Sequence, residues 1–133
     1  MRYLIISSHC ILADAMKESA GMIAGNQAVE SIITFHMTEG MEPDEFIENV
    51  NEFLKDKNNE DEYLILTDLY GASPMNTSLM AFRYQNYRIV SGLNLGMVLE
   101  ALYMIQSEQT LDEIANQLVQ RGMEGIKKVY LAG

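Results

Sequence analysis

Short runs of aliphatic residues alternate along this chain with longer stretches in which apolar residues recur at every third or fourth position. A buried strand of a parallel sheet reads as a continuous apolar run, whereas a helix packed on a sheet shows the longer period. The alternation is typical of βαβ units and predicts an α/β fold, with a mainly parallel sheet and helices on both faces. The predicted strands cover residues 3–6, 29–35, 63–66, 87–90 and 129–131, and the predicted helices cover residues 12–23, 43–54, 74–84 and 95–105, with a further helix after residue 110.

Three of the predicted helices begin with recognisable residues. Pro43 suits the first helical position because its missing N–H would have no partner there. Ser73 and Pro74 form a pair that predicts an N-cap followed by the first helical residue. Thr110 and Glu113 have the spacing of a capping box. The helix after Ser73 therefore begins shortly after the third predicted strand.

Length and composition indicate one folded domain. The chain has 133 residues, within the ~100–200 residues of a typical single domain. Its hydrophobic content of 48% is spread along the whole sequence, which is enough for one core. We find no linker, low-complexity segment or internal repeat. We therefore predict a single domain over residues 1–133.

The charge balance excludes several classes of partner. Nineteen acidic residues oppose nine basic ones, and the resulting net charge of −10 repels nucleic acids and anionic membranes. Basic proteins are the favoured partners. No apolar run approaches the ~18 residues of a membrane span, and the opening residues are too short for a signal peptide. The single cysteine, Cys10, cannot form an internal disulfide, so we expect a cytoplasmic protein.

Side chains that can act in catalysis lie at the ends of two of the predicted strands. Ser8 and His9 lie at the end of the first strand, and Asp68 follows the third. In a parallel sheet of order 2-1-3-4 these strands are neighbours, and ligands bind where connections diverge at the carboxyl ends of the strands. The order therefore predicts that His9 and Asp68 meet at one edge of the sheet, beside the amino ends of two helices.

A histidine and an aspartate in this arrangement can form a nucleophile. A carboxylate that accepts a proton from one imidazole nitrogen leaves the other nitrogen free for an incoming electrophile. A negatively charged group on His9 would need hydrogen-bond donors, which the hydroxyls of Ser8 and Ser73, the loop at Gly71 and the helix start can provide. We therefore predict an anion site with His9 and Asp68 as catalytic residues.

Other chemistries fit the sequence less well. No Gly-rich phosphate-binding motif of a nucleotide-dependent enzyme follows any strand. A cysteine phosphatase would need an arginine-bearing loop after Cys10, and the following residues contain none. His9, Cys10, His36 and Asp68 lack the short paired spacings of a zinc site, so no metal is expected. His36 also ends a strand, but without a recognisable acidic partner we interpret it as a surface or supporting residue.

The chain resembles the enzyme IIA domains of the mannose-type sugar phosphotransferase system. The similarity covers essentially the whole sequence. It rests on Ser8-His9, on the block Leu66-Thr67-Asp68-Leu69-Tyr70-Gly71-Ala72-Ser73-Pro74-Met75-Asn76 and on Ser91-Gly92-Leu93-Asn94-Leu95-Gly96-Met97-Val98-Leu99-Glu100.

This resemblance implies a phosphoryl carrier without a cofactor. The histidine matching His9 would accept phosphate from the histidine-containing phosphocarrier protein and pass it to a IIB component, which serves a membrane IIC/IID complex. The aspartate matching Asp68 would orient that histidine, and the serine matching Ser73 would hold the phosphate. The resemblance also implies a homodimer, in which residues 129–131 pair with a sheet edge of the partner subunit.

Cys10 departs from the family pattern, which usually has a glycine directly after the histidine. The phosphoryl donor subunit of dihydroxyacetone kinases shares the fold and opens with Ser-His-Ser, which Ser8-His9-Cys10 matches about as well. That subunit is one alternative function, and a non-enzymatic regulatory module of the same fold is another. The transported sugar cannot be predicted, because the membrane partners would determine it.

Overall fold

The computed structural model describes residues 1–132, which form four strands and six helices. No helix in this part of the chain is long and apolar enough to span a bilayer. In chain order the elements are β1 (Arg2–His9), α1 (Leu12–Ala24), α2 (Asn26–Val29), β2 (Ile33–Met37), α3 (Pro43–Leu54), β3 (Glu62–Thr67), α4 (Ser73–Phe82), β4 (Asn86–Ser91), α5 (Leu95–Met104) and α6 (Leu111–Glu124).

The four strands form one parallel sheet in the order β2-β1-β3-β4. The predicted fold class and strand order are therefore confirmed. β1 and β3 occupy the centre, and their registers align Ser7 with Thr67. β3 ends at Thr67, and β1 continues for two residues beyond Ser7, to His9. The end of β1 and the residues after β3 therefore share the carboxyl edge of the sheet.

Each face of the sheet has its own apolar core. Residues that alternate along β1 and β3 point to opposite faces. Leu4, Ile6, Leu64 and Leu66 pack with residues of α1, α5 and α6. The other face contributes Ile5, Tyr63 and Ile65, which pack with Phe46 of α3 and Phe82 of α4. Full burial of each large side chain contributes about 1.5–3 kcal/mol to folding, so the helices are held on both faces, as predicted.

The second strand was placed wrongly by the sequence prediction. It was expected over residues 29–35, whereas β2 spans Ile33–Met37. Gly25 has a φ of 99°, which ends α1, and the chain then forms the short helix α2. Val29, which opened the predicted strand, is buried at the end of α2. An apolar run alone does not separate a buried helical turn from a strand.

Two terminal details also differ from the prediction. Helix α4 begins at Ser73 itself, with Ala72 as its N-cap and no side-chain capping bond, so Ser73 is not the N-cap. The predicted strand over residues 129–131 is not formed within the single chain, where Val129, Tyr130 and Leu131 are exposed. A strand needs a neighbour for its hydrogen bonds. Pairing of this segment with a partner subunit stays a prediction.

Candidate active site

His9 and Asp68 are in direct contact at the carboxyl edge of the sheet. His9 is the last residue of β1, and Asp68 follows β3 directly. Asp68 Oδ2 accepts a hydrogen bond of 2.9 Å from the His9 backbone N–H and lies 2.7 Å from His9 Nδ1. Its second oxygen, Oδ1, accepts a hydrogen bond of 3.0 Å from the Leu69 N–H. One carboxylate therefore fixes both the backbone and the ring of His9.

These contacts keep the Asp68 carboxylate ionised. Burial raises the pKa of Asp68, but hydrogen bonds from the backbone and ring of His9, the charge of His9 and the Leu69 N–H together bring the pKa below its usual value. An ionised carboxylate favours the tautomer with the proton on Nδ1, which leaves the lone pair on Nε2. The His9 side chain is 46% exposed and that of Asp68 only 9%. The imidazole is thus fixed by the largely buried Asp68 on one side, and its other side is accessible to a partner.

The turn after His9 has a conformation that favours glycine. Cys10 has a φ of 49°, in the left-handed region, and its N–H donates a hydrogen bond of 3.0 Å to the Met37 carbonyl of β2. A residue with a Cβ atom in this region carries a strain of roughly 1–2 kcal/mol. The structure therefore gives a physical reason why a glycine suits this position, and the thiol of Cys10 is exposed beside the histidine.

Ser8, a predicted phosphate-binding residue, has its side chain engaged in contacts within the protein. The residue is fully buried, and its hydroxyl accepts a hydrogen bond of 2.7 Å from the Ala13 N–H in the first turn of α1. The same hydroxyl donates to the His9 carbonyl at 3.1 Å. With its proton engaged and its side chain enclosed, Ser8 ties the start of α1 to the end of β1. A role of Ser8 in phosphate binding stays a prediction.

Gly71 lies on the connection between Asp68 and α4, and Ser73 begins that helix. Gly71 has a φ of 76°, and its carbonyl accepts a hydrogen bond of 2.8 Å from the Asn76 side chain. Ser73 is exposed at the first residue of α4. The positive end of the helix dipole therefore points to the same edge of the sheet as His9. The role of these two residues in phosphate binding stays a prediction.

His36 has an acidic partner that the sequence did not reveal. Its Nε2 atom lies 3.1 Å from Oδ2 of Asp14 on α1, at an orientation that does not make a hydrogen bond. Thr34 donates a hydrogen bond of 2.7 Å to the other oxygen of Asp14. That hydrogen bond and, with a smaller effect, His36 lower the pKa of Asp14, against the opposing effect of burial. The protein thus contains two histidine–aspartate pairs, and contact with an acid does not by itself single out His9.

Exposed apolar side chains lie on the turns that follow His9 and Asp68. Ile11 is 69% exposed after the Cys10 turn, and Leu69 and Tyr70 are 59% and 86% exposed in the loop that follows Asp68. Apolar side chains grouped at a functional edge are typical of a protein-binding surface. The sequence analysis missed this feature, although the unusual Leu-Tyr pair between Asp68 and Gly71 was visible. Within residues 1–132 no group of three or more His, Cys, Asp or Glu side chains could hold a metal ion.

Comparison of the sequence with models of known protein families identifies the family of this chain. The model of EIIA-man, described as the phosphotransferase system (PTS) fructose IIA component, matches residues 3–119. The chain belongs to the EIIA-man family. The resemblance in its sequence motifs is therefore confirmed, and the chain is a IIA component of the mannose/fructose family of the phosphotransferase system.

Three relatives illustrate the range of EIIA-man proteins. The "PTS system fructose-specific EIIA component" of Bacillus subtilis (strain 168) is 32% identical over 117 residues, which cover 86% of this chain and 77% of the relative. The "PTS system mannose-specific EIIAB component" of Escherichia coli (strain K12) is 27% identical over 125 residues, which cover 93% of this chain but only 38% of that longer protein. The solved mannose/sorbose specific IIA subunit from Enterococcus faecalis has a TM-score of 0.85 and 31% identity, covering 99% of this chain and 97% of that one.

Proposed function

We propose that this EIIA-man protein is a phosphoryl carrier that accepts phosphate on His9 and passes it to another protein during sugar uptake. The observation that carries the proposal is the Asp68 carboxylate on His9 Nδ1, at 2.7 Å, with the ring otherwise open to solvent. The donor would be the histidine-containing phosphocarrier protein, and the acceptor would be a IIB component that serves a membrane IIC/IID complex. No cofactor takes part.

The transfer step follows from the tautomer that Asp68 selects. The Nε2 lone pair of His9 attacks the phosphorus atom of a donor phosphohistidine. The P–N bond to the donor breaks as the bond to Nε2 forms, and the Nδ1 proton stays hydrogen-bonded to Asp68. The ring then carries positive charge, which the Asp68 carboxylate stabilises. Transfer to the IIB component reverses these steps with a different partner.

The surface around His9 suits a protein partner. Ile11, Leu69 and Tyr70 offer apolar contacts beside the reacting nitrogen, and they would exclude water while two histidines exchange phosphate. Because the chain carries a net charge of −10, a basic donor would be attracted over a distance of about 8 Å at physiological salt. We therefore propose that donor and acceptor use this same face in turn, within the cytoplasm.

Incubation of the purified protein with phosphoenolpyruvate and the general phosphotransferase proteins tests this function. We expect one acid-labile, alkali-stable phosphoryl group per chain, which disappears when a IIB component is added. Transfer to a dihydroxyacetone kinase instead of the IIB component would favour that alternative. If the protein takes up no phosphate from the general phosphotransferase proteins, the proposed function is wrong and the regulatory module is favoured.

We predict that the protein is a homodimer. β4 is an edge strand, and Val129, Tyr130 and Leu131 form an exposed run of consecutive apolar residues with no neighbouring strand in the single chain. In a dimer this segment would cover an edge of the partner's sheet. Sedimentation at micromolar concentration should give twice the 15.0 kDa of one chain, and Val129→Asp should shift the particle toward the single chain. A wild-type particle of 15.0 kDa would contradict the prediction.

We also predict that the sulfur of Cys10 is not needed for transfer. If His9 is the nucleophile, Cys10→Ala and Cys10→Gly should both keep most of the transfer rate and resist oxidative inactivation. The glycine variant relieves the strain of the 49° φ and, after the flexibility it adds to the unfolded chain, should raise the free energy of unfolding by about 0.5–1 kcal/mol. Phosphoryl transfer and urea denaturation measure the two effects. An inactive but folded Cys10→Ala protein would move the nucleophile to Cys10.

A further inference from the structure

The connection after β4 makes direct contact with the strand end that carries Asp68. β3 and β4 pair as far as Thr67 and Ser91. Gly92, with a φ of 85°, then turns the chain back toward β3. The Leu93 N–H donates a hydrogen bond of 3.0 Å to the Thr67 carbonyl. That carbonyl belongs to the peptide unit that leads into Asp68, so the position of the β4–α5 connection affects the backbone that holds the carboxylate.

The side chain of Asn94 fixes this connection at two further points. Its Oδ1 atom accepts a hydrogen bond of 2.9 Å from the Met97 N–H and thereby caps α5. Its Nδ2 atom donates a hydrogen bond of 3.1 Å to the carbonyl of Gly122, near the end of α6. Gly122 is buried, and a Cβ atom there would lie 2.8 Å from Met97 Cε and 3.6 Å from Asn94 Nδ2. Asn94 thus holds α6 close to the start of α5, and the absence of a side chain at Gly122 makes this close approach possible.

We propose that Asn94 is a positioning residue for phosphoryl transfer, which holds Asp68 in place through the hydrogen bond between Leu93 and the Thr67 carbonyl. The proposal rests on the proposed function of His9 and Asp68. Asn94 touches neither the phosphoryl group nor His9. Its two side-chain hydrogen bonds join Asn94, the residue directly after Leu93, to α5 and α6. Loss of both bonds frees the Leu93 N–H to move away from β3.

Asp68 has to be positioned accurately relative to His9, which is why the hydrogen bond from Leu93 to the Thr67 carbonyl matters. Asp68 must keep one oxygen within hydrogen-bond distance of both the backbone and the ring of His9, at 2.9 and 2.7 Å. A misplacement of about 1 Å at a catalytic group can slow a reaction by about 100-fold. Asp68 lies in a connection outside the regular sheet, where backbone contacts are fewer than inside β3. The Leu93 hydrogen bond supplies one of them.

Asn94→Ala tests the proposal, with Thr110→Ala as a matched control. Thr110 is the N-cap of α6, and its hydroxyl accepts a hydrogen bond of 3.1 Å from the Glu113 N–H. Both variants remove a capping bond and should lower the melting temperature. We expect Asn94→Ala to lower kcat for transfer by about 10-fold at unchanged KM for the phosphocarrier protein, because Asp68 is displaced. Thr110→Ala should transfer at the wild-type rate.

Asn94→Asp is a second variant that separates the two hydrogen bonds. Aspartate caps helices as well as asparagine does, so this protein folds even if the alanine variant does not. It lacks the donor to Gly122 and should transfer about threefold more slowly than wild type. If Asn94→Ala and Thr110→Ala transfer equally fast, the proposal is wrong. If the alanine variant does not fold, a wild-type rate in Asn94→Asp is enough to overturn it.

The titration of the Asp68 carboxyl, followed by NMR in the unphosphorylated protein, gives a readout that needs no transfer. His9 lowers the pKa of Asp68 through hydrogen bonds to its backbone and ring, so displacement should raise that pKa toward its usual value in Asn94→Ala but not in Thr110→Ala. An Asp68 titration unchanged in Asn94→Ala overturns the positioning role. Because this measurement does not depend on phosphate, a failure of the proposed function leaves it interpretable.

Discussion

His9→Ala should abolish phosphate incorporation from phosphoenolpyruvate through the general phosphotransferase proteins. Alanine offers no lone pair to attack phosphorus, and no neighbouring group replaces it in the proposed mechanism. The fold should survive, because the His9 side chain is 46% exposed and fills no part of either core. Radiolabelled transfer, followed by acid and alkali treatment of the product, measures the effect. Circular dichroism verifies that the variant is folded.

His36→Ala is the matched control for this experiment. His36 also contacts an aspartate, but its Nε2 atom is buried and faces Asp14 on α1. The exposed apolar residues Ile11, Leu69 and Tyr70 lie on the turns that follow His9 and Asp68, which is where we propose that the partner docks. We therefore expect His36→Ala to incorporate phosphate at a rate within about twofold of wild type. Incorporation that survives in His9→Ala, or is lost in His36→Ala alone, would contradict the assignment of His9.

Most of the fold could be predicted because the apolar pattern carries it. The two central strands, β1 and β3, and the edge strand β4 were identified by continuous or nearly continuous aliphatic runs. Their parallel order follows from the intervening helices. β2 was misplaced because an unusual backbone angle at Gly25 starts a second helical turn, which periodicity does not encode. The segment at residues 129–131 has a strand-like pattern, but its hydrogen-bond partner is not within the single chain.

The candidate site was predictable where it depends on strand ends and unpredictable where it depends on helix rotation. His9 and Asp68 meet because β1 and β3 are parallel neighbours whose carboxyl ends lie at the same edge of the sheet. The burial of Ser8 could have been predicted, since alternate residues of a strand point to opposite faces and Ser8 precedes His9 directly. The contact between Asp14 and His36 depends on how α1 is rotated against β2, which no motif specifies.

Asp68→Asn should slow phosphoryl transfer by about 100-fold or more while the fold survives. Asparagine has nearly the same shape as aspartate, so we expect the variant to fold. The atom Oδ2 of Asp68 serves both the backbone N–H and Nδ1 of His9. Asparagine can place there either its neutral oxygen, which accepts a weaker hydrogen bond, or its NH2 group, which loses the backbone bond and favours the tautomer with the proton on Nε2. The variant also lacks the charge that stabilises the positively charged ring during transfer. Single-turnover transfer from the phosphorylated donor measures the rate directly.

The same substitution at Asp14 provides the control and separates the two histidine–aspartate pairs. Asp14→Asn removes a carboxylate 3.1 Å from His36, on an exposed side chain, and should leave transfer within about twofold of wild type. The pH dependence gives a second criterion. Because the folded pKa of Asp68 is lowered, its ionised form should stabilise the wild-type fold above the unfolded pKa of about 3.9, and this stability should be lost as pH falls through the lower folded value. Asp68→Asn should lack this acid-range loss. If Asp68→Asn transfers as fast as Asp14→Asn, the pairing of Asp68 with His9 is not part of the mechanism.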